Sequence, residues 1–318
     1  MDPLPSPSND PPLVSAVVCT RNRGDRVVAT LESILANDYP CFEVILVDQS
    51  SEPDTEAAVS KFFRDPRFRY KHTATKGAGH ARNIGLAAAK GEFVLYTDDD
   101  CIVPENWIST ISTVFLQHER VAVVFCNVKA APHDSELGFI PTYDRRDEKL
   151  VKNLIDKCTA RGIGAGMALR KNAARQIGGF DVCLGPGSIF QACEEGDIAV
   201  RLLLQGWQIF ETNRVAIIHD GFRTWQEGKE LTRRNWFGIG AAYVKPLRCG
   251  RIDFAVVALY EAFWVGLLQP LALIFQFKRP SGLKKFFYFW EGFFRGLRMP
   301  LDCRTITYRD NASAVSGQ

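Results

Sequence analysis

Short runs of β-branched residues alternate with segments whose apolar positions recur every three or four residues, and this alternation governs the first two thirds of the chain. Val14 to Cys19 (VSAVVC) reads as a buried strand closed by the polar loop Thr20-Arg-Asn-Arg-Gly24. Asp25 stands where it can cap a helix in which Val27, Val28, Leu31, Ile34 and Leu35 repeat at helical spacing. A second buried strand, Phe42 to Val47, ends in Asp48, and an amphipathic helix follows over Asp54 to Phe63. Gly77 to Lys90 is glycine-led and alanine-rich, predicting a helix that Gly91 closes before the strand Glu92 to Thr97. A helix over Glu105 to Leu116, a strand over Val121 to Lys129 and two short strands, Trp207 to Glu211 and Val215 to Ile218, continue the pattern. Strand and helix in alternation, with short connections, predict an α/β fold with a mostly parallel sheet. The acids that end its strands, Asp48 and Asp98-Asp99-Asp100, then share the carboxyl edge, where such sheets bind ligands.

The pattern changes after about residue 225. Phe254 to Phe277 carries one formal charge, Glu261, and is long enough to cross a bilayer, although Gln269-Pro270 interrupts it. Lys278, Arg279, Lys284 and Lys285 follow, and then the aromatic stretch Phe286 to Leu297. A single crossing from the cytosol would carry these basic residues outside, against the positive-inside tendency. A hairpin or an in-plane helix avoids the conflict, so a place at the cytoplasmic face of a membrane is expected, by surface association or with a C-terminal membrane helix. The chain divides into a disordered start (1–12), an α/β domain (13–225), a helical membrane-associated region (226–300) and a flexible tail (301–318).

Composition narrows the classes further. The chain has 318 residues, of which 46% are hydrophobic and 24% charged, as in folded proteins generally. A net charge of +3 argues against a nucleic-acid partner. Nine cysteines without a CxxC pair fit neither a disulfide framework nor a zinc site and point to a reducing setting. The first residues lack the basic-then-apolar pattern of a secretory leader.

Three adjacent aspartates at a strand end are the strongest chemical signal. Acids there also serve as turn residues and helix caps, but like charges side by side repel and are best tolerated around a cation such as Mn²⁺ or Mg²⁺. A second cluster, Glu194-Glu195-Gly196-Asp197, opens a helix with Ile198, Val200, Leu202, Leu203 and Leu204. Favourable capping accounts for one of those acids and not for three.

Four segments in order carry a resemblance to a known family: VSAVVCTRNRGDRVVATLESILANDYPCFEVILVDQSS, GHARNIGLAAAKGEFVLYTDDDC, GAGMALRKNAARQIGGFD and EEGDIAVRLLLQGWQIFE. From about Val14 to Gly221 the chain resembles the inverting glycosyltransferases of family 2, which have the GT-A fold. The resemblance implies that Asp98 and Asp100 hold a divalent metal on the diphosphate of a UDP-, GDP- or dTDP-sugar donor, with Asp99 nearer the ribose and His219 as a third ligand. It implies that Asp48 recognises the base, with Thr20 and Arg21 on the loop beside it, and that Arg82 reaches the nucleotide. The family's tetrad is usually Glu-Asp-x-Asp. Here Glu195 stands at the position of the catalytic base, and the choice between Glu195 and Asp197 stays open. A glycan or lipid-linked acceptor suits the apolar C-terminal region. The alternatives are a nucleotidyltransferase-like protein and an inactive membrane adaptor on the same fold. A dinucleotide-binding dehydrogenase is disfavoured, since Gly77 to Gly85 lacks GxGxxG spacing.

Overall fold

The computed structural model describes residues 10–277 and 281–310. Its strands are β1 (Val14–Thr20), β2 (Phe42–Asp48), β3 (Phe68–His72), β4 (Phe93–Asp98), β5 (Cys101–Ile102), β6 (Val121–Ala130), β7 (Gly138–Phe139), β8 (Lys149–Val151), β9 (Met167–Arg170), β10 (Gln208–His219), β11 (Arg223–Thr224), β12 (Leu301–Asp302) and β13 (Thr307–Tyr308). The main sheet runs β3-β2-β1-β4-β9-β6-β10-β5, with β8 on the flank of β10. The pairs β1 to β2, β1 to β4, β2 to β3 and β6 to β10 are parallel, and β9 lies antiparallel between β4 and β6. Two strand-pairs, β7 with β11 and β12 with β13, stand apart.

The first helices fall near where the periodicity puts them: α1 (Arg26–Leu35), α2 (Asp54–Val59), α3 (Ala78–Ala88) and α4 (Trp107–Gln117), although the helix expected to Phe63 turns from α to 3-10 geometry at Ser60–Arg64. Successive residues of one strand feed opposite layers of core. Val18 and Leu46 pack with Leu31, Ile34 and Trp107, whereas Val17 and Ile45 pack with Ala81, Ile198 and Leu202. Both faces are covered, so the strands read as continuous apolar runs. After α5 (Leu154–Cys158) and α6 (Lys171–Gln176) comes α7 (Glu194–Leu204), and then the long α8 (Trp225–Arg248). Thr224 and Glu227 form a reciprocal capping box at the start of α8.

Several expectations are corrected. Asp25 makes no side-chain cap on α1. The two short strands expected at 207–218 are one strand, β10, because a bulge between Thr212 and Ala216 lets it continue past the polar Asn213-Arg214. The apolar segment is a helical run, Ile252–Phe275, that passes through Gln269-Pro270. Its Tyr260–Leu268 portion is π-helical, and Pro270 sits at the start of the α-helical turn that follows, where its missing N–H is tolerated. Residues 301–310, expected within a flexible tail, are packed. Tyr308 is buried, its hydroxyl donates to the Ala241 carbonyl at 2.6 Å and its N–H donates to Asp181 at 2.8 Å. Cys249 and Cys303 form a disulfide, against the expectation of none; tertiary folding joins cysteines 54 residues apart, a pairing without a local spacing signal. Residues 1–9 and 311–318 and the pair Lys278 and Arg279 lie outside the described residues.

Candidate functional site

Strand register builds one wall. Thr20 lies opposite Asp48 and Cys19 opposite Asp98, so β1, β2 and β4 end along one edge. The Thr20 hydroxyl donates to Asp99 at 2.6 Å, and the Arg23 guanidinium lies 3.4 Å from both Asp99 and Asp100. Burial pushes the Asp99 carboxyl up to about 6, against the pull of Thr20 and Arg23.

β10 delivers His219 to the same place, because His219 pairs with Cys101 across the sheet. Its Nε2 is 3.3 Å from Asp100 and its Nδ1 is 3.0 Å from the Pro141 carbonyl. The carbonyl accepts only if Nδ1 carries the proton, which leaves Nε2 to face the carboxylate. Burial lowers the His219 pKa, but the bonds to Asp100 and Pro141 outweigh it and the net shift is upward. Ligand atoms of Asp100, Cys101 and His219 lie within 4.8 Å of one another. Burial drives the Cys101 thiol far above its ordinary value, so the usable donors are a carboxylate and an imidazole. Asp98, expected as a ligand, is not one of these three; its side chain is 43% exposed and lies 3.6 Å from Arg82. Oxygen donors with one imidazole suit Mn²⁺ or Mg²⁺.

The opposite wall comes from α7. Cys193 enters it in the left-handed conformation, φ 75°, and turns Glu194 and Glu195 inward. Glu194 pairs with the buried Arg82 of α3. Glu195 makes no ion pair among the described residues. Burial, with Glu194 beside it, pushes its carboxyl up to about 8, despite the counter-pull of Arg82.

Asp197 has a different setting. It is 2% exposed and binds Arg201 at 2.8 Å and Lys245 at 2.7 Å, and Lys245 also meets Asp181 at 2.5 Å. Asp197 is thus engaged by two buried cations and, unlike Glu195, is not among the residues that line the main cleft. Asp48 is 1% exposed; Tyr70 donates to one oxygen and the Ser50 N–H to the other, both at 2.8 Å. Arg21 is exposed on the loop after β1 and makes no ion pair among the described residues. The Gly77 turn, with φ 106°, does not present its first amide: the Ala78 N–H donates to the Pro186 carbonyl at 2.9 Å.

The walls enclose a cleft of about 610 Å³ that brings together Arg82, Asp98, Asp99, Asp100, Glu195 and His219. Sequence reasoning missed Arg23 and gave Glu194 no role. Arg23 lies in the polar loop after β1, a position that signals ligand contact, but its carboxylate partners are more than seventy residues away.

Comparisons with known proteins bear on the family and the fold. The family described as "Glycosyl transferase family 2" matches residues 15–178. Glycosyltransferase GlyG of Streptococcus pneumoniae is 40% identical over 101 residues, 31% of this chain and 34% of that protein. UDP-Glc:alpha-D-GlcNAc-diphosphoundecaprenol beta-1,3-glucosyltransferase WfaP of Escherichia coli is 34% identical over 118 residues, 36% of this chain and 45% of that protein. The matches therefore span less than half the length of these curated relatives. Among solved structures, the mannosyltransferase PcManGT of Pyrobaculum calidifontis, in complex with GDP-Man and Mn²⁺, superposes with a TM-score of 0.61 at 16% identity, covering 91% of this chain and 88% of that one. S. aureus TarS 1-349 gives 0.53 at 19% identity, covering 71% and 65%. At such identity these likenesses establish a shared fold.

Proposed function

Since the chain belongs to glycosyl transferase family 2 and has the GT-A fold of its structural neighbours, we propose that it moves a sugar from a nucleoside-diphosphate donor to an acceptor hydroxyl with inversion. One observation carries the proposal: residues from four distant segments, Arg82, Asp98 to Asp100, Glu195 and His219, line a single cleft. Asp98, Asp100 and His219 would hold a divalent cation, whose chemistry is to neutralise charge growing on the departing diphosphate. Arg82 and Arg23 border the same carboxylates and oppose what negative charge remains. Glu195 takes the proton of the acceptor hydroxyl as that oxygen bonds to the anomeric carbon and the carbon–diphosphate bond breaks on the opposite face. Its raised pKa makes it a strong base once ionised. Thr20, Arg21 and Asp48, at the ends of β1 and β2, mark the side of the edge that would face the nucleoside; for Asp48 to accept from a base, it must exchange one of its bonds from Tyr70 and the Ser50 N–H.

The enzyme works on a membrane surface in this reading. The inward side of the run Ile252–Phe275 packs Phe254, Val257, Ala258 and Ala262 against α8 and its neighbours. Its outward side leaves Ile252, Leu259, Phe263, Trp264, Leu268 and Phe275 exposed, and Phe287 and Phe294 of the helix Lys284–Leu297 are exposed as well. An apolar face pointing away from the protein fits a bilayer boundary. A glycan or lipid-linked acceptor at the cytoplasmic leaflet follows from that placement.

The test is a screen of UDP-, GDP- and dTDP-sugars with Mn²⁺, reading melting temperature and donor hydrolysis. One donor class should raise the melting temperature in a metal-dependent way. Binding without turnover of any donor would favour an inactive adaptor, and no binding at all would end the reading.

A further inference from the structure

A second cavity, of about 200 Å³, lies behind Glu195 and shares that residue, Ile163, Ala192, Cys193 and Asn235 with the main cleft. Phe125, Ile209, Ile239 and Tyr243 give it apolar and aromatic walls, and Lys157, Arg161, Glu195 and Glu261 are its charged residues. Arg161 is neutralised by Glu261 at 3.0 Å. Lys157 has no such partner. It is 6% exposed, donates to the Ala160 carbonyl at 3.3 Å, and meets no carboxylate within ion-pair range among the described residues. Nearby Glu211 is occupied by Arg145 at 2.9 Å. Burial and the adjacent Arg161 lower the Lys157 pKa, outweighing the opposite pull of Glu261 and Glu211, as for an ammonium held out of water without a carboxylate of its own. Such a group is costly unless a ligand supplies the missing charge.

We propose that this cavity seats the acceptor's terminal sugar and that Lys157 reads an anionic substituent on it, a phosphate or a carboxylate. The inference rests on the glycosyltransferase reading, which makes Glu195 the group that the acceptor hydroxyl must reach. The cavity opens on Glu195, so a sugar seated there presents a hydroxyl to the base while its anion meets Lys157. The ring walls cover its apolar C–H faces, and the volume suits one ring rather than a chain. Acceptors are then sugar phosphates or acidic sugars, not neutral ones.

Calorimetry on the full chain tests this with four probes: N-acetylglucosamine 1-phosphate, glucuronic acid, neutral methyl N-acetylglucosaminide and inorganic phosphate. At least one anionic sugar should bind about tenfold or more tighter than the neutral glycoside and than inorganic phosphate, and which one distinguishes a phosphate source from a carboxylate source. Lys157→Met should abolish the preference, with Lys157→Gln as a second truncation; the wild-type comparison stands by itself should neither fold. Equal binding of neutral and anionic sugars, inorganic phosphate binding as tightly as the sugar phosphate, or a preference that survives both substitutions overturns the inference. A melting-temperature shift with nucleotide, read in parallel, separates the two levels. Nucleotide binding without anion preference leaves the transferase reading and removes the acceptor one, and the converse leaves an anion site on a protein that is no donor-dependent transferase.

Discussion

Glu195 and Asp197 sit two residues apart on one helix, and their partners give them opposite duties. Glu195 has a proton-binding carboxyl in the cleft and no cation of its own, whereas Asp197 is locked between Arg201 and Lys245. Glu195→Gln should lower kcat by about 10²- to 10⁴-fold while donor affinity stays within about twofold, as measured by steady-state kinetics and nucleotide titration. As the base proposed above, Glu195 works only when ionised, and its carboxyl is pushed up to about 8. The kcat/KM profile of the free enzyme should therefore climb with pH and level off above that value. A profile flat from pH 6 to 9 would assign the proton to another group. Asp197→Asn should instead cost about 3 to 5 kcal/mol of stability in urea unfolding, because it strips a buried cation of its partner. Sequence alone could not separate these two acids, since what divides them is Lys245, nearly fifty residues downstream. The aspartate triplet was legible because its meaning lies in its own neighbours; Arg23 and Lys157 were not, because theirs lies across the fold.

Helices α3, α4 and α7 and the strands β1, β2, β4 and β6 carry their signal locally, in β-branched runs and helical spacing, and the structure has them within a few residues of expectation, whereas β3 was not expected. β9 was hidden. Its four residues, Met167–Arg170, follow the glycine-dense Arg161 to Gly166, and antiparallel insertion between β4 and β6 depends on partners rather than on pattern. The crossing of α8 with the helix Lys284–Leu297 was hidden too. There a Cβ on Gly240 would collide with the Phe289 carbonyl, and one on Gly292 with the Phe237 carbonyl. Backbones this close admit no side chain. Gly240→Ala should accordingly lose about 1 to 3 kcal/mol despite alanine's better helix propensity. Urea denaturation of that variant checks the point, and a gain in stability would mean that the two helices do not cross at the glycines.

For the whole molecule, the outward apolar face predicts reversible association with lipid. Flotation with vesicles containing anionic lipid should recover the protein. Replacing Phe263, Trp264 and Phe287 together with serine should weaken the partition about tenfold or more, as expected from the apolar area removed. Raised salt should weaken it further through Lys284 and Lys285. Undiminished flotation of the triple variant would move the contact elsewhere.

The small strand-pair 301–308 looks like an afterthought to the transferase domain, yet the Tyr308 amide and Lys245 share the Asp181 carboxylate, and Lys245 in turn holds Asp197 in the first turn of α7, beside Glu195. The family match ends at residue 178, and the helices run out at Leu297. An engineer trimming the gene at either landmark to obtain a tidier crystallisation target would pull a keystone from under the cleft. Shortened versions should keep everything through Asp310.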